Sequence, residues 1–137
     1  MINLIKYTLT MAFLALGIAT ANAQCQSDEC VSKLSEGYIF LKSYSMEKSA
    51  TEVEYSYVFS KDTDYMLVTC NKDGHSNNVI VTLYDSNKKV IATNYDPKAE
   101  KYYTAIAYNC KATGIYYLKY SFKETSECCV SVLAFKK

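Results

Sequence analysis

The sequence predicts an all-β fold: an antiparallel β-sandwich of seven to eight strands, with one short N-terminal helix. Three observations predict it. From Glu52 onward, apolar and polar residues alternate with a period of two. Turn-forming residues recur about every ten residues. The 137 residues include 14 tyrosines and one proline, which suits pleated, half-buried surfaces.

The first segment reads as an export leader. Lys6 supplies a positive start, Met11 to Ile18 is a short apolar run, and Ala21-Asn22-Ala23 is a small-x-small cleavage site. Residues 1–23 are therefore expected to be a signal peptide and residues 24–137 a single domain. The apolar run is interrupted by Thr8, Thr10, Thr20 and Asn22 and falls short of the roughly 20 apolar residues that a span needs. No membrane span is expected after cleavage.

The polar stretch Gln26 to Glu36 has room for one short helix, with Ser27 and Asp28 as N-cap candidates and Gly37 as its stop. Residues 38–46 read as a first strand. Val53, Tyr55, Tyr57 and Phe59 then alternate with Glu52, Glu54, Ser56 and Val58, giving one face to a core and one to water. Lys61 to Asp64 is a turn, and Tyr65 to Cys70 a buried strand. Asn71 to Asn78 is a polar loop. Val79 to Tyr84 and Lys89 to Thr93 form a hairpin across the turn Asp85-Ser86-Asn87-Lys88. Pro97 marks the loop Asn94 to Glu100. Strands follow at Tyr102 to Asn109, Ile115 to Phe122 and Cys128 to Phe135, with Tyr116, Leu118, Tyr120 and Phe122 on one face and Tyr117, Lys119 and Ser121 on the other.

Composition narrows the function. The leader holds one of the 15 basic residues and none of the 14 acids, so the remainder carries no net charge and no basic excess to hold nucleic acid. Every basic residue is Lys, so no guanidinium is present for bidentate binding of phosphate or carboxylate. The six cysteines, Cys25, Cys30, Cys70, Cys110, Cys128 and Cys129, all follow the leader, and an even count in an exported chain points to disulfides. The adjacent pair Cys128-Cys129 lacks zinc-site spacing. Neighbouring strand residues face opposite ways, so this pair suits two bridges running in different directions, one of them to Cys25 or Cys30. Cys70 and Cys110 both end strands and are candidates to bridge each other.

Three pieces, in order, resemble the bacterial pre-peptidase C-terminal domain. They are VEYSYVF with KDTDY and MLV, then VTLYDSNKKVIAT, then ATGIYYLKYSF, together covering residues 53–122. The resemblance implies a small jelly-roll-like sandwich without catalytic residues of its own, of a kind found attached to secreted enzymes and, in some relatives, linked with carbohydrate or protein-fibre binding. The pieces also make physical sense alone. Asp85 is placed to accept backbone N–H groups across its turn. Gly114 is expected to supply a positive φ ahead of a strand.

No residue set points to catalysis. His75 is the sole histidine and sits in a polar loop, and no G-x-S-x-G motif accompanies it. Asp62, Asp64, Asp85 and Asn87 read as turn caps rather than calcium ligands, and nothing resembles a full calcium loop. Glu52 and Glu54 share one strand face and read as its wet side rather than as a glycosidase pair. No metal and no cofactor is expected. Tyr95, Tyr102, Tyr103, Tyr116 and Tyr117 are the candidates for an exposed aromatic platform, set against plain packing.

The chain is thus expected to be a secreted, non-catalytic binding or accessory module of the cell envelope or extracellular space. Its partner is expected to be a cell-envelope polysaccharide or an exported protein. The alternative is an inhibitor of a secreted hydrolase, with loops 71–78 and 94–100 as the contacts.

Overall fold

The computed structural model describes residues 27–46, 52–71, 79–122 and 129–137. The expected leader, Cys25, His75 and Cys128 lie outside the described residues, as does the side chain of Cys129. The described residues begin with α1 (Ser27–Val31) and continue through β1 (Ile39–Met46), β2 (Glu52–Phe59), β3 (Asp64–Asn71), β4 (Val79–Tyr84) and β5 (Val90–Thr93). Then come β6 (Tyr95–Asp96), β7 (Lys101–Tyr102), β8 (Ala105–Asn109), β9 (Gly114–Phe122) and β10 (Cys129–Lys136).

Eight of these strands form two four-stranded antiparallel sheets, β1-β10-β3-β8 and β2-β9-β4-β5. The pairs β1·β10, β2·β9, β3·β8 and β4·β5 nest like one long hairpin whose tip is the β4–β5 turn. Rolled into two facing layers, this is a jelly roll, and the sandwich itself is what the alternation from Glu52 onward leads one to expect. Ten strands are present among the described residues, against the seven or eight expected. The expected strand from Tyr102 to Asn109 is split, with β7 at its start and β8 from Ala105 onward, and β6 pairs with β7 as a separate two-stranded piece.

The core lies between the sheets. The alternating residues of β2 meet those of β3 and β9: Phe59 stacks on Tyr65 at 4.0 Å and on Tyr116 at 4.8 Å between ring centroids. This three-ring stack joins the two sheets, and such offset aromatic contacts add to area burial alone. Tyr44 and Tyr55 make a second cross-sheet contact at 4.6 Å. Leu67, Val81, Leu83, Leu118 and Leu133 fill the interior around them.

A second apolar cluster lies outside the sandwich. Met66, Val68, Cys70, Val130 and Val132 share the outer face of β3 and β10, and Cys30, Val31, Leu34 and Tyr38 cover it. The helix α1 runs to only five residues, with Ser27 and Asp28 inside its first turn. Gly37, at φ +88°, turns the chain from this cover into β1, as the expected stop does.

Cys30 is bridged to Cys70, with a Cα–Cα distance of 5.8 Å. The expected pairing of Cys70 with Cys110 is therefore wrong, as is the option of a bridge from Cys30 to Cys128 or Cys129, and Cys110 is a buried free thiol. The reason is geometric. Asn109 pairs with Asp64, at the start of β3, whereas Cys70 lies near the end of β3, about 20 Å away at strand rise. The two also belong to different clusters, Cys70 outside the sandwich and Cys110 inside it.

Gly114 corrects a second expectation. Its φ lies outside the left-handed region, and close approach is what demands glycine here: an added Cβ would sit 2.7 Å from Ser86 Oγ. The Asp85 turn is as expected. The Asp85 carboxylate accepts the N–H groups of Asn87 and Lys89, both at 2.9 Å, and Lys88 takes a positive φ of 62°.

Candidate functional site

Between β5 and β8 the chain leaves the sheets and returns, carrying Tyr95, Tyr102 and Tyr103. This excursion lies at the end of the sandwich where β3 finishes and β4 begins, because Thr69 N–H bonds Thr104 O at 3.0 Å. Its base is built on Asn94, which is almost fully buried. The Asn94 side-chain oxygen accepts Val81 N–H at 2.8 Å, and its amide nitrogen donates to Val79 O at 3.0 Å and Tyr103 O at 3.4 Å. Its backbone adds two more bonds, donating to Val81 O and accepting from Tyr103 N–H. A buried amide must find such partners, and here they fix both ends of the hairpin to β4.

Above this base, Tyr95 and Tyr102 stand opposite each other in register, with ring centroids 4.7 Å apart. Asp96 accepts the N–H groups of Lys98 at 2.9 Å and Ala99 at 3.4 Å, closing the turn that contains Pro97. Glu100 takes a positive φ of 49° as the chain reverses. Tyr103 is 45% exposed, and Lys101 Nζ lies 5.1 Å from its ring centroid.

The five tyrosines singled out from sequence do not share one surface. Tyr95, Tyr102 and Tyr103 are together on the hairpin. Tyr116 is 4% exposed and belongs to the core stack. Its phenol is shifted well above the ordinary tyrosine range, first by burial and then by hydrogen bonding with Cys110 and Tyr108. Tyr117 points the other way, to the outer face of β9, where Lys88 Nζ sits 3.4 Å over its ring. Adjacent strand residues must diverge in this manner.

The acidic residues are spent on structure. Glu54 pairs with Lys88 at 2.6 Å and Glu52 with Lys119 at 2.9 Å, all on the outer face of the β2-β9 pair. The Lys119 ammonium is shifted upward, chiefly by its hydrogen bond to Glu52. Asp64 accepts from Asn109 Nδ2 at 2.7 Å, and Asp62 adopts a positive φ of 63° in its turn. Among the described residues, no three His, Cys, Asp or Glu side chains gather as a metal site would require. A small cavity between the sheets is lined by apolar and aromatic residues such as Leu67, Leu83 and Ile106. Among the described residues, its only polar side chains are the phenols of Tyr65 and Tyr108, with no carboxylate, amine, imidazole or thiol in its lining.

Sequence reasoning missed Asn94 and Lys88. Asn94 followed the strand Val90–Thr93 and read as the first residue of a loop. Its one visible signal was a polar residue between two β-rich stretches. Lys88 read only as a turn residue.

Fold and site together define a jelly-roll domain with a braced aromatic hairpin at one end. No family model matches the chain, and no curated protein matches it. One similar solved structure is that of PliG from Aeromonas hydrophila, a periplasmic lysozyme inhibitor of g-type lysozyme. The two share 15% identity at a TM-score of 0.47, over 76% of this chain and 90% of the other.

Proposed function

We propose that this chain is an exported, non-catalytic binding module that contacts another exported protein through the hairpin spanning residues 94–104. The observation that carries this reading is that the buried Asn94 fastens the hairpin bearing Tyr95, Tyr102 and Tyr103 to β4, bonding Val79 and Val81 on one side and the Tyr103 backbone on the other. Tyr103 and the half-buried Tyr95 present stiff aromatic contact area, with the Tyr102 ring behind them and its hydroxyl buried, and a contact held in place beforehand loses little entropy on binding. The Cys30–Cys70 disulfide supports export, since such bonds persist in oxidising compartments. The leader-like start of the sequence points the same way, as does the proposed kinship with pre-peptidase C-terminal domains.

The finer reading is inhibition of a secreted hydrolase. A two-stranded hairpin fastened at its base is narrow enough to enter an enzyme cleft. The test is a binding and inhibition panel of lysozymes, including a g-type enzyme, and secreted proteases, run beside a pull-down from envelope and culture fractions. Tyr95→Ala and Tyr103→Ala variants serve as controls. Capture of a protein that both variants weaken at least tenfold supports the module. Loss of enzyme activity on binding supports the inhibitor. Equal binding by parent and variants would remove the hairpin from the proposal, and no partner at high protein concentration would remove the proposal itself.

A further inference from the structure

The disulfide does not tie the sandwich to itself. Cys70 lies on the outer face of β3, and Cys30 lies in the segment that covers that face. The sandwich interior forms a separate cluster around Phe59, Leu118 and Tyr120. The covering segment thus packs on the outer face of β3 and β10, apart from the interior cluster, and beyond its backbone link to β1 it is tied to the sandwich by this one disulfide among the described residues.

The covering segment holds to the sandwich through side chains: Val31, Leu34 and Tyr38 pack on the outer face, and Lys136 Nζ lies 5.3 Å from the Tyr38 ring centroid. The amides of Ser32, Lys33, Leu34 and Tyr38 donate to Asp28, Cys30, Val31 and Ser35, all within the segment. A five-residue helix falls far below the length that is stable alone. Beyond Gly37 the chain joins β1 and is held by its ladder to β10. Among the described residues, the segment from Ser27 to Glu36 is therefore a strap, anchored covalently by β1 at one end and by Cys30 near the other.

We infer that Cys30–Cys70 is a redox latch on this strap. With the bond closed, the strap covers Met66, Val68, Val130 and Val132. A dithiol reductant opens the latch: the S–S bond breaks, each sulfur leaves as a thiol, and the two electrons and two protons come from the dithiol, which closes its own disulfide. The strap then lifts and exposes the outer face of β3 and β10, while the sandwich stays folded. Both sulfurs are buried, so the reductant reaches them only as the strap end opens, and the latch changes state slowly.

Hydrogen exchange on the full chain tests this, comparing the oxidised protein, the same protein treated with dithiothreitol in native buffer, and a Cys30→Ser/Cys70→Ser variant. The amides of Ser32, Lys33, Leu34 and Tyr38 are expected to exchange at least tenfold faster in both the treated protein and the variant. Those of β2, β4 and β9 are expected to stay within twofold, and reoxidation to restore the strap. Unchanged strap protection in the variant would overturn the latch, because apolar contact alone would then suffice. Loss of protection in strap and sandwich together would overturn the separability on which it rests. A bond that dithiothreitol cannot open in native buffer would overturn the switch even if the variant lifts.

Discussion

The side chain of Asn94 stands where a neighbouring strand would stand for Val81: its oxygen accepts the Val81 N–H at 2.8 Å, and its own backbone N–H returns to Val81 O at 3.2 Å. One residue thus satisfies both polar groups of Val81 at a point where β5 has ended. It also carries the two arms of the tyrosine hairpin. Asn94→Ala strips partners from the buried Val81 N–H and Val79 C=O, and each unsatisfied buried group costs about 1–3 kcal/mol. A loss of about 2–5 kcal/mol in urea unfolding is expected, together with faster proteolysis after Lys98 and Lys101. Asn94→Asp keeps the acceptor and loses the donor, setting a carboxylate against the Val79 carbonyl, and is expected to be no better. A change below about 1 kcal/mol in both variants would mean the amide braces nothing.

Gly114 and Ser86 form a second testable contact. An alanine at position 114 brings its Cβ to 2.7 Å from Ser86 Oγ, which is itself held by donation to Ile115 O at 2.8 Å. Gly114→Ala is expected to cost about 1–3 kcal/mol through crowding at the β9 entry. Ser86→Ala removes the offending oxygen, and the Ser86 Cβ is a comfortable 4.0 Å away. The double variant is therefore expected to recover most of the loss, with a coupling of about 1 kcal/mol or more in a double-mutant cycle. Simple additivity would place the strain elsewhere.

These two cases also show what the sequence could carry. The alternation of Val53, Tyr55, Tyr57 and Phe59 against Glu52, Glu54 and Ser56 assigned the faces of β2 correctly, because a period of two is a local property. It also separates Tyr116 from Tyr117, and so argues against placing both on one platform. Partners were another matter. β1 pairs with β10 across most of the chain, and no local pattern encodes that choice. The Cys70 bridge was misjudged for the same reason: ending a strand says nothing about which end of the sheet the strand reaches. Asn94 was illegible because its role depends on β4 being alongside, a fact of packing rather than of composition.

Tyr44 is one defined origin of the alkaline stability limit, beside the more strongly shifted Tyr116. Its hydroxyl is buried and finds no hydrogen-bond partner among the described residues. Burial, followed by the charges of Tyr57 and Tyr55, pushes its pKa up to about 12 from 10.0. A phenol is neutral when protonated, and the folded pKa lies above the unfolded one. Its contribution is therefore fully present below pH 10, falls as pH rises through that window, and is lost above about 12. Unfolding free energy is expected to decline between these limits. Tyr44→Phe removes a hydroxyl with nothing to bond, so it is expected to leave neutral-pH stability unchanged or slightly raised and to flatten the alkaline decline. An equally steep decline in Tyr44→Phe would assign the effect to other tyrosines.

The exposed triad of Lys88, Glu54 and Tyr117 is expected to matter little for stability despite its short contacts. Lys88 Nζ lies 2.6 Å from Glu54 and 3.4 Å from the Tyr117 centroid, yet about half of each charged side chain remains in solvent. Exposed pairs of this kind contribute about 0–1 kcal/mol, and an exposed cation over a ring about 0.5–1 kcal/mol. Lys88→Ala is expected to lower stability by about 1 kcal/mol or less, with the ionic part fading in 1 M salt, where screening acts within about 3 Å. A larger loss would point to the positive φ of Lys88 and the turn it closes. Lys88→Gly, which relieves that conformation, is the variant that separates the two causes.

Cys110 offers the sharpest check on the cysteine arrangement. Its thiol is fully buried, with the Ala112 carbonyl at 3.2 Å and the Tyr116 hydroxyl at 3.5 Å, and Tyr116 in turn donates to the same carbonyl at 2.6 Å. A thiol reacts as an exposed thiolate, so labelling must wait for the turn between β8 and β9 to open. With a water-soluble thiol reagent at pH 8, labelling of Cys110 is expected to be about a hundredfold slower in the native protein than in urea. Peptide mapping should place that label on Cys110 and leave Cys30 and Cys70 unmodified. Label on Cys30 instead would mean that Cys70 is joined to Cys110 after all, which would require the outer face of β3 and the inner end of β8 to exchange positions. Cys110→Ala removes the sulfur and its contacts with Tyr116, and is expected to cost about 1–2 kcal/mol by leaving a small void beside the Phe59 stack. A fully stable Cys110→Ala protein would show that the thiol merely fills space that its neighbours are free to close.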